Sequence, residues 1–207
     1  MSKYRLNIDF SKGEDLDLVY RAMEKVVLVK HTEGSTDSQV AWVTFSPLMR
    51  NTVDWETDFA VYASTSEVQN GAQINMMSDM AASTMVMYNF EDGYFKNPEP
   101  SDIIGPNTYA ISNNYEQKQA LTFGLAQGVN VNNEAFPNKP INAILVPFGQ
   151  SAQMTPIEKI DVYLMCNIDT STVVSKIYSP VLTVTYKDDE FEHSIEYNAN
   201  TGKFFLK

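Results

Sequence analysis

Bulky and polar positions alternate along much of this chain with the two-residue period of extended strands, where successive side chains point to opposite faces. The densest stretch is Gln39 to Ile74, where aromatic and β-branched residues recur between turn residues. There Val40, Trp42 and Thr44 are expected on one face and Ala41, Val43 and Phe45 on the other; Val53 and Trp55 share a face, as do Phe59, Val61 and Ala63. Trp42 and Trp55 are assigned to the core, each indole N–H requiring a partner once buried. Nearer the N-terminus, Tyr4, Leu6, Ile8 and Phe10 form a first alternating run.

The period changes at Asp15 to Lys25. Leu18, Val19, Ala22, Met23 and Val26 fall on one helical face, and Asp15 can cap the first turn. Strand character returns at Val26 to Lys30, followed by a polar connection from His31 to Ser38. Asn70-Gly71 and Asp92-Gly93 are tight-hairpin signals, because these residues tolerate positive φ. Pro98 to Pro106 marks a loop that can act as a rim or lid.

Further strands are expected at Ala120 to Ala126, Ile141 to Phe148, Ile157 to Cys166, Thr172 to Tyr186 and His193 to Tyr197. Pro180 divides the fourth of these into Val173 to Tyr178 and Val181 to Tyr186, since proline cannot donate to a ladder. The tail forms a closing hairpin with Gly202 in the left-handed position. About ten to twelve strands result, and a sheet that large folds over on itself. The expected fold is an all-β, two-sheet antiparallel β-sandwich with one short helix near the N-terminus, forming a single domain over 1–207.

A chain of 207 residues, 43% hydrophobic, can build such a core. Its 15 basic and 26 acidic side chains leave a net charge of −11, which repels phosphate backbones and anionic lipid, so nucleic acid is not expected as a partner. Cys166 is the single cysteine and precludes an intrachain disulfide. No secretory h-region, membrane-length apolar stretch or Asn-x-Ser/Thr acceptor is present. Cytoplasmic residence is the expectation.

The chemistry-bearing residues are sparse. His31 and His193 lack a second histidine or cysteine at zinc-ligand spacing. Cys166 with His193 as base is a conceivable nucleophilic pair, but Cys166 ends the apolar run VYLMC, where a cysteine acts as a small buried hydrophobe. Met76, Met77, Met80, Met85 and Met87 are half of the ten methionines; they suit a soft metal or adaptable surface, though core filling is the ordinary use. The acidic clusters Asp15/Asp17, Glu91/Asp92 and Asp188/Asp189/Glu190 lack the ligand pattern of a calcium loop and read as solvated turns. No nucleophile elbow, phosphate-binding loop, dinucleotide fingerprint or zinc-protease helix occurs. No metal and no cofactor is expected.

The runs V-A-W-V-T-F-S-P and N-T-V-D-W-E-T-D-F-A-V-Y, then V-Q-N-G, resemble the rhizosphere-induced RhiA-like proteins, soluble β-rich proteins of bacteria with fungal relatives. Phe123-Gly124-Leu125-Ala126 is similar to that family's glycine-containing strand, and Pro156 to Leu164 to its late strand; the helical Asp15 to Lys25 departs from the pattern. The resemblance implies a bacterial or fungal origin, induction by environment or host contact, and a non-enzymatic role. It supplies no catalytic residues.

The expected function is therefore a non-catalytic binding or interaction module for a small molecule, a glycan or a protein partner. Among 24 aromatic residues, Tyr94, Tyr109 and Tyr115 lie in polar surroundings and are the candidate ligand-facing rings. Two alternatives stand beside it. One is a carboxylate-dependent enzyme without a motif, marked by two acids facing each other across a pocket. The other is an assembly-forming or toxin-like protein, marked by open edge strands.

Overall fold

The computed structural model describes residues 2–33, 38–187 and 189–207. The first part runs β1 (Lys3–Asp9), α1 (Gly13–Arg21), β2 (Glu24–Glu33), β3 (Ser38–Gln39), β4 (Val43–Phe45), β5 (Arg50–Glu56) and β6 (Phe59–Ser64). There follow β7 (Met76–Ala82), β8 (Val86–Glu91), β9 (Tyr94–Phe95), β10 (Glu99–Pro100), β11 (Tyr109–Asn113) and β12 (Ala120–Val131). The last are β13 (Glu134–Pro140), β14 (Asn142–Pro147), β15 (Ser151–Cys166), β16 (Leu182–Thr185), β17 (Glu192–Asn198) and β18 (Lys203–Leu206).

Two sheets pack face to face, as the alternation requires. One has the order β18-β17-β1-β5-β12-β14-β3, with β13 and the β6–β7 pair attached to β12; the other has the order β10-β8-β11-β15-β2-β4, with β16 on β15 and β9 on β8. The sheets are not purely antiparallel, because β1 runs parallel to β17 and β8 parallel to β11. The strand count exceeds ten to twelve for two reasons. Three pairings are only two residues long (β3, β9, β10), and β11 and β13 lie where the sequence shows no strand signal.

Tyr4, Leu6, Ile8 and Phe10, Val53 and Trp55, and Phe59, Val61 and Ala63 all enter the main core. Trp42 and Trp55 meet edge to face, with centroids 5.8 Å apart, and Tyr4 stacks on Trp55 at 5.6 Å. The alternation expected at Val40 to Phe45 fails at its start. Val40 joins the cluster of Tyr62 and Ala126, Ala41 joins that of Val27, Val29 and Tyr163, and Trp42 and Val43 both enter the main core. This stretch crosses between sheets instead of lying in a ladder, with Ala41 N–H donating to Thr172 O at 2.8 Å and Trp42 N–H to Leu28 O at 2.9 Å.

The helix starts at Gly13, two residues before the expected point. Lys12 is its N-cap and makes no side-chain cap bond, so Asp15 stands in the first turn rather than capping it. Its buried face is Leu16 and Val19, while Leu18 and Met23 are exposed, because α1 ends at Arg21 and does not carry the helical phase to Val26.

Asp92-Gly93 forms the tight β8–β9 turn with both φ values positive, and Gly202 (φ 66°) turns the closing β17–β18 hairpin. Asn70-Gly71 does not make a hairpin. It lies in the long 65–75 connection, where Gly71 N–H donates to Val173 O at 2.9 Å and Val173 N–H to Ala72 O at 2.8 Å. Val173 to Tyr178 is accordingly not a strand: Thr172 and Val173 make isolated bridges to Gln73 and Val40. Gly124 is needed for a close approach. The Tyr62 ring lies over it with its hydroxyl donating to Asn142 O at 2.6 Å, and a Cβ on residue 124 would sit 2.7 Å from Tyr62 Cε1.

Candidate binding site

The three candidate tyrosines do not converge. Tyr94 is 51% exposed, but its ring carries Lys96, whose Nζ stands 4.1 Å from the centroid and donates to the phenol oxygen at 2.7 Å. Tyr109 is a core residue: β11 turns it inward against Phe59, centroids 5.6 Å apart, and burial pushes its phenol up to about 12. Tyr115 is half-buried, packs edge-on against Phe90 at 5.9 Å and donates to Gln117 Oε1 at 2.9 Å. It lines a cleft of about 220 Å³ with Glu91, Asp92 and Asn114, and Tyr94 is not part of that lining.

Other sequence candidates are also dispersed. Met77 and Met85 are exposed, Met87 is half-buried, Met80 packs on the main core and Met76 on a separate cluster, so the five methionines are neither buried filler nor one soft site. Cys166 is exposed at the end of β15, not buried, and His193 belongs to the other sheet. His31 Nε2 lies 2.9 Å from Asp161 Oδ2, and His193 packs on Tyr186 with centroids 4.7 Å apart. Asp92 pairs with Lys96, Asp17 is exposed on α1, and Asp189 and Glu190 are exposed; Asp188 lies outside the described residues. Among the described residues no group of three or more His, Cys, Asp or Glu is placed to hold a metal ion.

The interior is not chemically inert. Lys30, 1% exposed, points into the main core with Nζ 2.8 Å from Glu158 Oε2 and 5.3, 5.2 and 6.0 Å from the ring centroids of Trp42, Trp55 and Phe59. Trp55 Nε1 donates to the same Oε2 at 3.1 Å. Burial lowers the Lys30 ammonium from its ordinary range, against the opposing pull of Glu158. Glu158 reaches this position from a β-bulge between Ile157 and Ile160. The signal for Lys30 was present in the period, since it continues the Val26, Leu28 face. No sequence pattern identifies Glu158, because its register depends on the bulge.

Three larger clefts are present among the described residues; one of about 390 Å³ lies between Thr44 to Leu48 and Val131 to Phe136, and the other two open at irregularities of the ladders. The first, about 470 Å³, is walled by Gln73 and Asn75 of the 65–75 connection, Asn138 and Lys139 of β13, and Asp169, Thr170 and Ser171 after β15. Its walls are cross-tied: Ile74 N–H donates to Ser171 O at 2.8 Å, Ser171 N–H to Ala41 O at 2.7 Å, and Gln73 Nε2 to Thr170 O at 3.4 Å. Asn138 (φ 35°) and Ser171 (φ 70°) are both held in the left-handed region, a strain that surrounding bonds must maintain. Asp169, the sole carboxylate of this lining, is paired with Lys25 at 2.7 Å, whereas Lys139 has no ion pair among the described residues.

The second cleft, about 370 Å³, lies where β5 and β12 part. β12 pairs with β5 at Asn130 and Val131 and with β6 from Thr122 to Ala126, leaving 127–129 between the two ladders. Gln127 bridges the break by donating from Nε2 to Glu56 O at 2.6 Å. The cleft contains Asp54 and Glu56 of β5 and Asp58 from the β5–β6 connection, with Gly128 and Asn130 of β12 and Phe136 of β13 also lining it. Asp54 is held by Arg5 at 2.7 Å.

No protein-family model, curated protein or solved structure matches the chain. Among the described residues no helix is long and apolar enough to cross a membrane.

Proposed function

We propose that this protein is a non-catalytic binding module, and that the 470 Å³ cleft between the 65–75 connection, β13 and residues 169–171 takes a small hydroxyl-rich ligand such as a glycan. The observation that carries this reading is the cleft's chemistry. Gln73, Asn75, Asn138, Thr170 and Ser171 line it with amides and hydroxyls, groups that both donate and accept, as sugar hydroxyls require. Asn138 Nδ2 already donates to Asp79 Oδ2 at 2.9 Å and Thr170 Oγ1 accepts from Thr44 N–H at 2.9 Å, which hold these side chains in place and leave the exposed Asn75 amide as the group for the ligand, and the walls are tied before any ligand arrives.

Acid–base hydrolysis is supported less well. It calls for two carboxylates facing each other across the substrate. The lining of the first cleft offers only Asp169, already paired with Lys25, and the three acids of the second cleft all come from β5 and the connection after it, with no acid among its β12 and β13 lining. The RhiA-like resemblance and cytoplasmic residence belong to the same proposal, since both agree with a binding role that needs no disulfide.

The test is a glycan array followed by thermal-shift titration. A ligand at one hundred times its Kd stabilises by about 2.7 kcal/mol, which for a domain of this size raises Tm by about 5–10 °C. Asn75→Ala should abolish that shift while leaving the unliganded Tm in place. Absence of any shift at millimolar saccharide counts against the proposal.

Self-association is the second reading, favoured by the edge strand β18, where Phe205 and Leu206 are 42% and 50% exposed. Size-exclusion chromatography over a concentration range separates the two: a binding module stays at one elution volume, and an assembling protein shifts.

A further inference from the structure

We propose that Lys30 and Glu158 condense into an intramolecular amide, a self-formed covalent link between β2 and β15. The reacting groups are already in contact. Lys30 Nζ is 2.8 Å from Glu158 Oε2, the lysine side chain is fully enclosed, and the glutamate side chain is 18% exposed. The rings of Trp42, Trp55 and Phe59 surround the nitrogen, so its hydrogen-bonded contact is with the carboxyl it would attack.

The chemistry balances without any co-reactant. One proton passes from the ammonium to Oε2, giving a neutral amine and a carboxylic acid, a transfer that burial favours because it removes both charges. The Nζ lone pair then attacks Cδ and negative charge moves to Oε1. A second Lys30 proton passes to Oε2, the Cδ–Oε2 bond breaks and the oxygen departs as water. The carbonyl re-forms at Oε1, and the third proton stays on the new amide nitrogen. Trp55 Nε1, donating to Oε2 at 3.1 Å, holds the carboxyl in place against the lysine for the attack.

Two physical terms drive the reaction forward. Reactants held this close have effective concentrations on the order of 10⁵ M or more. Keeping them as ions in a low-dielectric interior costs several kcal/mol per charge, a penalty that the neutral amide does not carry. The enclosure that prevents bulk water from reaching Lys30 also opposes hydrolysis of the product. In a chain that cannot form an internal disulfide, the link would fasten β2 to the bulged strand and would be indifferent to reductant.

Intact-mass spectrometry of the full chain under denaturing conditions, after incubation in the folded state, decides the matter. The expected mass is one water below the sequence mass, and proteolysis should yield a single branched product joining the segments that carry Lys30 and Glu158. Lys30→Arg and Glu158→Ala should each show the full mass of their own sequences. Should either variant fail to fold, the wild-type mass still gives the answer. A wild-type chain at its full sequence mass overturns the proposal. So does loss of ammonia in place of water, or a water loss mapped to any other pair of residues.

Discussion

Gly124→Ala should be among the most damaging single-methyl changes available to this protein. A Cβ at residue 124 would stand 2.7 Å from Tyr62 Cε1 and 2.8 Å from its hydroxyl oxygen, and would also press on the backbone oxygen of Asn142. Neither neighbour is a flexible side-chain end: the ring is fully buried, and its hydroxyl is tied to Asn142 O at 2.6 Å. Forcing the ring aside costs about 1–3 kcal/mol as overpacking. Breaking the buried hydroxyl bond and stranding its partner adds about 1–3 kcal/mol. The entropy that alanine removes from the unfolded chain returns about 0.4–1 kcal/mol. The net expectation is a loss of about 1–5.6 kcal/mol, read as a lower urea midpoint at unchanged slope. A double-mutant cycle isolates the cause. In a Tyr62→Ala background the ring and its hydroxyl are gone but the backbone oxygen of Asn142 remains, so the added methyl should cost less than in wild type by at least about 1 kcal/mol without becoming neutral. If Gly124→Ala lies within about 1 kcal/mol of wild type, or costs as much without the tyrosine ring as with it, the close approach of the ring is not what requires glycine.

Glu158→Ala removes the partner of a fully buried nitrogen and should destabilise by about 3–5 kcal/mol, measured by chemical denaturation. Asp161 is raised by burial but lowered more by hydrogen bonds from His31 and Thr183, so its carboxyl is held below its ordinary value. A depressed carboxyl stabilises the fold above the unfolded pKa, and that stability is lost as pH falls from about 4 through the folded value. Asp161→Asn should therefore flatten the acid limb of the stability profile, and an unchanged limb refutes the assignment. Tyr109→Ala should cost about 3–5 kcal/mol as a core truncation, whereas Tyr94→Ala should stay within about 0.5 kcal/mol. Paired thermal melts that reverse this order contradict the burial of β11.

The parts of the fold that sequence reveals are those where a side chain's neighbours follow from its own strand. Tyr4, Leu6 and Ile8 lie in one regular ladder, which Phe10 N–H extends by donating to Met49 O at 2.9 Å, and period two assigns all four correctly. It fails at Val40 to Trp42, where three successive residues enter three separate clusters because the backbone leaves one sheet and bonds to 172 and Leu28. Asn70-Gly71 misleads for a similar reason: the dipeptide does turn the chain, but the partner is a distant segment near Val173 and not the adjoining strand. Tyr109 illustrates the limit for site residues. Its polar neighbours in sequence are loop residues preceding β11, and only the pairing of Tyr109 with Met154 turns the ring inward.

The candidate cleft sits at such a failure of periodicity, for a physical reason. A regular ladder consumes its own backbone donors and acceptors and presents uniform faces, whereas at the junction of 40–42, 70–75 and 169–174 polar side chains line a cleft while the backbone is tied internally. The junction should thus behave as rigid structure despite its irregular path. Amide protons of Ala41, Gly71, Ile74, Ser171 and Val173 each donate to a backbone oxygen at 2.7–2.9 Å, across segments more than 90 residues apart in sequence. Opening these bonds requires either the 65–75 connection (Gly71, Ile74, Val173) or the 40–42 segment (Ala41, Ser171) to peel away from the 169–174 segment, exposing the cluster in which Val40, Ile74 and Val173 are buried together. Burying three such side chains is worth about 1.5–3 kcal/mol each. Hydrogen exchange followed by NMR should therefore show these five amides protected by factors on the order of 10³ or more, since every 1.4 kcal/mol of opening energy slows exchange about tenfold. Exchange at the rate of an open loop would mean that the cleft walls are not fixed before binding, and the preorganised site proposed above would lose its basis.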